Sequence, residues 1–395
     1  MSLETELLSL FFVILVAATV PLLADASTKV RLPQVALLLI GGVIIGPELL
    51  GLADPEALSL LSELGLGFLF LLAGYEIEPT LLRHHATRRA TWAWVTAAAI
   101  AVPTVTVLHA VGLVAAEVTI AIALTTTAFG TILPIATDAG LLRGPLRAPI
   151  LANGAVGEVA PIIAMALLLT TSGEVLAVIA LVIFFAGAYL FSLLPRHSRA
   201  APVIGSVHRM SEETSQALVR WVLVLLIGLL AFATVLDLDA VLGAFAAGFV
   251  LRMTRPEHFR PLELKLETIG YGFFIPVFFV SSGLTLDVRS IVAKPVTVVL
   301  LFVLIVVVRG GAVWLWHGNL DRVGRRRVSL FSATTLPMLI ALSEVSVRTE
   351  LMSRQSAAVM IGAGVISVLV LPALAVRGAE ELSADQPRPD GELSS

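Results

Sequence analysis

Apolar runs of about 20 residues, parted by short stretches of charge, Gly or Pro, recur along the whole 395-residue chain. A helix needs about 20 mostly apolar residues to cross the hydrocarbon core of a bilayer. Taken between the polar clusters, the runs predict thirteen spans: 6–24, 33–51, 58–78, 90–112, 117–137, 148–170, 174–194, 213–236, 239–254, 266–285, 295–317, 327–347 and 355–376. None alternates in polarity as the strands of a membrane barrel do. The predicted fold is an all-α polytopic membrane protein. Asp237 and Asp239 part spans 8 and 9, and two carboxylates in lipid are costly, so a tight turn at the membrane surface is expected there. Span 1 is preceded by Glu4 and Glu6 and by no Lys or Arg. It lacks the positive leader of a secretory signal and reads as a retained helix.

Two stretches about 205 residues apart resemble each other. Span 3 reads LGLGFLFLLAGYEIEPTL and span 10 reads IGYGFFIPVFFVSSGLTLDVRS. Gly65, Gly67 and Gly74 align with Gly270, Gly272 and Gly283, while Gly41 and Gly46 of span 2 align with Gly243 and Gly248 of span 9. TILP at Thr131–Pro134 in span 5 aligns with TTLP at Thr334–Pro337 in span 12. Each pair lies seven helices apart, and an odd offset reverses the direction of crossing. The pattern is that of inverted-topology repeats, as in many secondary transporters. In spans 5 and 12 a proline follows a hydroxyl cluster: Thr125, Thr126, Thr127 and Thr131 before Pro134, and Ser332, Thr334 and Thr335 before Pro337. Proline removes a backbone hydrogen bond. Irregular backbone is tolerated at membrane depth only inside protein or along a water-filled cavity. Two discontinuous helices are therefore expected, broken at Pro134 and Pro337. The plainer alternative is a pair of kinks whose freed carbonyls are served by Thr side chains.

Composition supports the membrane assignment. Hydrophobic residues make up 57% and charged residues 14%, against about 25% charged in soluble domains, and mean hydropathy is +0.96. There is no cysteine, hence no disulfide and no thiolate metal site. No phosphate-binding loop and no hydrolase or zinc-protease motif occurs, so no enzyme activity, cofactor or nucleic-acid partner is expected. The distribution of charge says more than the net −3. Alternating sides through thirteen spans, 21 of the 26 Lys and Arg fall on one side and four on the other, with Arg309 alone inside a span. The positive-inside rule then places the N-terminus outside and the C-terminus in the cytoplasm of a cell-membrane protein. Residues 1–376 form the transmembrane unit, and 377–395 a short polar cytoplasmic tail.

Intramembrane charge marks the candidate chemistry. Glu158 lies mid-span in ILANGAVGEVAPIIAMALLL. A carboxylate there is costly unless protonated, paired or hydrated. It can hold a proton or a cation, hardly both, and that competition is the physical core of exchange. Asn153 offers an amide oxygen or a bond to a neighbouring helix, and Gly154 and Gly157 permit close helix approach. Arg309 stays charged and needs a carboxylate partner or a hydrated vestibule. Glu158 and Glu344 are the candidate partners, in a structural or gating pair. Glu76, Glu78, Asp138 and Asp287 sit near span ends and read as interfacial. The histidines, including His84 and His85, read as loop or span-end residues.

On these residues the chain resembles the monovalent cation:proton antiporter superfamily, and within it the cation:proton antiporter-2 branch of bacterial sodium or potassium/proton exchangers. The resemblance covers about residues 6–376. It rests on PQVALLLIGGVIIGP, LGLGFLFLLAGYEIEP, the Thr-rich span 5, FFIPVFFVSSGLTLD and the basic residue of span 11. It implies thirteen helices, a homodimer, a dimerisation domain and a core domain whose two unwound helices cross and move like an elevator. The family carries an Asp-Asp, Asn-Asp or Gln-Asp pair in its sixth span. The matching positions here read Gly157-Glu158, so the carboxylate that binds the transported metal cation, or a proton, maps to Glu158, and its polar neighbour is absent. Thr126, Thr127, Thr334 and Thr335 map to the crossed segments, and Arg309 to the basic residue of span 11. The function expected is exchange of Na⁺ or K⁺ for protons by alternating access. The alternatives are a K⁺ channel or efflux path without proton coupling, and an organic-solute carrier on the same scaffold.

Overall fold

A computed structural model describes residues 3–26, 33–76, 85–168, 217–235, 240–254 and 260–377. Span 7, the Asp237–Asp239 turn, Glu78, His84, residues 378–395 of the tail and the loops bearing Lys29 and Arg31 lie outside the described residues.

The described chain is helical, its helices joined by turns and short irregular stretches. In order it forms α1 (Leu3–Ala26), α2 (Gln34–Ile45), α3 (Ser59–Tyr75), α4 (His85–Ala110), α5 (Glu117–Ala123), α6 (Phe129–Asp138) and α7 (Arg147–Leu168). Then follow α8 (Ala217–Val235), α9 (Ala240–Thr254), α10 (Arg260–Ile269), α11 (Ile275–Leu284), α12 (Val288–Ala293), α13 (Pro295–Leu304) and α14 (Gly311–Trp316). Last come α15 (Arg322–Ser332), α16 (Pro337–Arg348) and α17 (Arg354–Val376). Eight stretches of the described residues are long and apolar enough to cross a membrane, and two shorter apolar helices, Gln34–Ile45 and Val219–Ala231, accompany them. π turns join α10 to α11 at Gly270–Phe274 and α13 to α14 at Ile305–Gly310. The first precedes Pro276, which cannot donate to the Gly272 carbonyl and crowds it. The second contains Arg309; such widened turns recur at functional sites.

The helices pack in two groups. One contains α1, α2, α3, α8, α9, α10 and α11; the other contains α4 to α7 and α12 to α17. The groups touch chiefly where α7 meets α9 and α17 meets α2. In the first group α2 packs on α11 and α3 on α9, the arrangement that exchanging span 2 with 9 and span 3 with 10 would produce. Both contacts need glycine. A Cβ on Gly74 would lie 2.0 Å from the Phe245 carbonyl, and one on Gly283 would lie 2.2 Å from the Leu39 carbonyl. These two glycines align in the repeat. In the second group α4 turns a stripe of buried small residues, Ala90, Ala93, Ala97 and Ala101, towards its neighbours α7 and α14. Its opposite face exposes Trp92, Val95, Val102 and Val107, as a lipid-facing surface does.

Candidate functional site

Spans 5 and 12 are both interrupted, and the interruptions touch. α5 ends at Ala123 and α6 begins at Phe129; α15 ends at Ser332 and α16 begins at Pro337. The Ala128 N–H donates to the Thr334 carbonyl (2.8 Å) and the Thr127 N–H to the Gly157 carbonyl on α7 (2.8 Å). The Thr126 and Thr335 hydroxyls lie 2.7 Å apart. Local hydroxyls serve carbonyls released near the breaks. Thr125 donates to Ile122, Thr126 to Ala123 and Thr334 to Leu330. Ser367 of α17 supports the second break, accepting from the Thr335 N–H (3.1 Å) and lying 2.6 Å from the Thr335 carbonyl. Two helix C-termini and two N-termini thus meet inside protein. They bring partial negative and partial positive charge to one place.

The two prolines play different parts. Pro337 occupies the first turn of α16, where its missing N–H has no helical partner to lose. Pro134 lies inside α6, past the break at Thr126–Ala128, so it does not interrupt span 5 as the sequence suggests. TILP is consequently not the structural counterpart of TTLP. Thr126 faces Thr335, and Thr131 is helical. Hydrogen bonds to α7 and to the other interrupted span take over from helical bonds at Thr127 and Ala128.

Arg309 is fully buried (0% exposed) beside the crossing. Its Nε donates to the Thr127 hydroxyl (3.1 Å) and its Nη2 to the Asn153 carbonyl (2.9 Å). No described carboxylate is within ion-pair distance of it. The expected pairing with Glu344 does not occur: Glu344 is 43% exposed and contacts Arg348 (3.5 Å) at the far end of α16. Nor does Glu158 pair with Arg309. The guanidinium is instead held by oxygen dipoles, the Thr127 hydroxyl and the Asn153 carbonyl. It also explains Gly157. A Cβ there would lie 2.3 Å from Arg309 Nη2 and 2.3 Å from Thr127 Oγ1. The space that a polar partner of Glu158 would need is filled by the arginine.

Glu158 follows Gly157 on α7 and is partly exposed. Glu76, at the end of α3, and Tyr271, in the π turn before α11, lie within electrostatic reach of it. The Tyr271 hydroxyl reaches to 3.5 Å from Glu76 Oε1. Asn153 is fully buried, and its Nδ2 donates to the Pro149 carbonyl (2.8 Å) and approaches His317 Nε2 (3.1 Å). His317 Nδ1 in turn lies 3.0 Å from the Val313 carbonyl. A carbonyl only accepts, so Nδ1 carries the proton and Nε2 is the acceptor. Tyr271 and His317 are missed by sequence reasoning, because each lies next to glycine near a span end. The structure thus gathers Thr126, Thr127, Thr334, Thr335, Arg309 and Asn153 around one crossing, with Glu158 at its edge and Glu344 elsewhere. No cluster of three or more His, Asp or Glu suited to a resident metal occurs among the described residues.

Interrupted helices crossing beside an intramembrane acid, in a bundle with inverted repeats, define the class: a multi-pass membrane protein of secondary-transporter architecture. The family model described as "Sodium/hydrogen exchanger, transmembrane" matches residues 14–376. The chain belongs to the sodium/hydrogen exchanger family. It is 27% identical over 308 residues to YjbQ of Bacillus subtilis (strain 168), named a putative Na⁺/H⁺ antiporter, covering 73% of this chain and 49% of that one. It is 27% identical over 293 residues to GerN of Bacillus cereus, named a Na⁺/H⁺-K⁺ antiporter, covering 71% of this chain and 72% of that one. The chain therefore spans about half the length of YjbQ. Its fold is similar to that of the sodium proton antiporter MjNhaP1 from Methanocaldococcus jannaschii, with a TM-score of 0.65 at 15% identity over 96% of this chain and 99% of that one.

Proposed function

We propose that the protein exchanges a monovalent cation, Na⁺ or K⁺, for protons by alternating access, with Glu158 binding cation and proton in turn. The observation that carries this reading is a carboxylate at the edge of the helix crossing that forms no ion pair with the buried Arg309. An acid locked to an arginine has no vacancy for a cation; an unlocked one has. The relatives' names carry both Na⁺ and K⁺, and the crossing offers hydroxyl oxygens suited to either ion. Arg309 keeps its charge, so one titrating acid makes the cycle one cation for one proton, without net charge movement. The functional unit is a homodimer whose crossing group moves against the other helices.

The test is cation-driven proton movement in liposomes containing the full chain, with Na⁺ and K⁺ compared. Glu158→Gln and Glu158→Ala should abolish exchange while the protein remains folded. Undiminished exchange in both would remove Glu158 from the mechanism. Clamping the membrane potential should leave the wild-type rate unchanged; a rate that follows the potential would overturn the one-for-one stoichiometry.

A further inference from the structure

A cavity of about 580 Å³ opens at the other end of the bundle. Glu63, on its wall, lies near the start of α3, whereas Glu76, the neighbour of Glu158, ends that helix. The separation is about 20 Å at 1.5 Å per residue. Both helix groups build the cavity. α3 contributes Ser62 and Glu63, α11 contributes Ser281 and Ser282, and α16 contributes Glu344 and Arg348. Five carboxylates line it, namely Glu48, Asp54, Glu56, Glu63 and Glu344, against the guanidinium groups of Arg348 and Arg354.

A second observation marks the cavity as more than an acidic surface. Ser281 lines it, is only 5% exposed, and its hydroxyl has no hydrogen-bond partner. Ser343, 3% exposed, is also unpartnered and lines a side chamber of about 100 Å³ that shares Ser282, Thr285 and Glu344 with the main cavity. Buried hydroxyls without partners are uncommon in folded proteins. Two of them, beside carboxylates, form an oxygen-rich lining of the kind hard cations take. Arg348 occupies the charged part of this lining. It donates to Glu63 Oε1 at 2.8 Å and lies 3.5 Å from Glu344 Oε1. Glu63 belongs to one helix group, Glu344 and Arg348 to the other.

We infer that this cavity is a capture site for the hydrated monovalent cation, in which the cation competes with Arg348 for Glu63 and Glu344. The inference rests on the exchange proposed above and adds to it a second, weaker cation site remote from Glu158. The geometry gives the site a further consequence. Arg348–Glu63 joins the two helix groups, so a cation that takes over Glu63 releases one group from the other at this face. The arginine pair is solvent-exposed, 48% and 55%, and exposed pairs are weak, which lets a cation at transport concentrations displace it.

The experiment compares KM for Na⁺ in right-side-out and everted membrane vesicles carrying the full chain, at low and at high ionic strength. Lys and Arg counts assign the cavity to the outer face. Glu63→Gln and Glu344→Gln should raise KM at that face alone, together by about tenfold at low salt, with the effect shrinking at physiological ionic strength, where the Debye length is about 8 Å. Arg348→Gln should lower KM at the same face, because it frees both carboxylates. Opposite signs are the signature of competition. A pair that only fastens the helices is broken equally by Glu63→Gln and Arg348→Gln, so changes of the same sign, or no change, overturn the inference. Loss of exchange in Glu158→Gln alongside unaltered KM in the cavity variants would sink the capture site while leaving the proposed function standing. Exchange persisting without Glu158 would do the reverse.

Discussion

Gly157→Ala is the smallest change that tests the arrangement at the crossing. It adds one methyl group, 2.3 Å from Arg309 Nη2, 2.3 Å from Thr127 Oγ1 and 2.7 Å from Thr127 Cβ. Ordinary contact begins near 3.4 Å, so a neighbour must retreat by about an ångström. Neither is free to do so. Thr127 is tied through its N–H to Gly157, through its hydroxyl to the Ser332 carbonyl (2.6 Å) and by the bond it accepts from Arg309. Arg309 is fully buried and bound at Nε and Nη2. Overpacking costs about 1–3 kcal/mol, and each hydrogen bond lost to a charged group about 1.5–3 kcal/mol. If one such bond breaks with the repacking, the total is about 2.5–6 kcal/mol.

The assay pairs thermal unfolding in detergent with exchange in liposomes, and Gly311→Ala is the control. Gly311 lies in the same span as Arg309 and has nothing within 4 Å of a built Cβ; alanine there should be neutral or mildly stabilising. Gly157→Ala should lower both stability and exchange, the latter at least tenfold. Combining it with Arg309→Met removes one of the two groups it strikes, so the double variant should be less impaired than the sum of the singles, with a coupling of about 0.5–3 kcal/mol. Wild-type behaviour of Gly157→Ala, or strict additivity in the double variant, would refute the placement of the guanidinium over Gly157.

Thr126→Val and Thr335→Val should each cost about 1 kcal/mol. The two hydroxyls share one contact at 2.7 Å, so the double variant should cost less than the sum, as a double-mutant cycle of unfolding would show. Asp287 caps α12, accepting from the Ser290 hydroxyl (2.5 Å) and N–H (2.9 Å), and these bonds hold its pKa below the usual carboxylate value. Its stabilisation is full above about pH 4 and fades as pH falls through the lowered value, so the melting gap between wild type and Asp287→Asn should close in acid; a gap that widens would contradict the cap.

Much of the architecture was legible because bilayer physics is local. A run of 20 apolar residues declares itself, and so does a lone acid such as Glu158. The break in span 12 was legible because Pro337 marks the start of a helix in its own sequence. That span 5 is interrupted is legible too, but the place of its break is not, because the cause is remote: Thr127 and Ala128 leave helical geometry to bond Gly157 and Thr334, and no local residue announces that choice. Pro134 is the stronger local signal, yet it lies inside α6. The partners of Arg309 escape the sequence for a related reason. Counting charges favours a carboxylate, but a buried guanidinium is served as well by carbonyl and hydroxyl oxygens, and only the fold shows which oxygens are near.

Gly157 gathers these points into one argument. Read as sequence, it is a missing ligand beside Glu158. In the structure it is the condition for Arg309 to reach the Asn153 carbonyl and the Thr127 hydroxyl, since any side chain would occupy the same volume. An acid at that position could titrate against the arginine and carry charge of its own through a cycle. Carbonyl and hydroxyl dipoles cannot titrate. On the proposed reading, the buried positive charge is therefore balanced by groups that stay constant throughout transport. On the same reading Glu158 is the carboxylate at the crossing, among the described residues, whose charge changes with its occupant, and the proposed coupling of cation to proton reduces to the competition there.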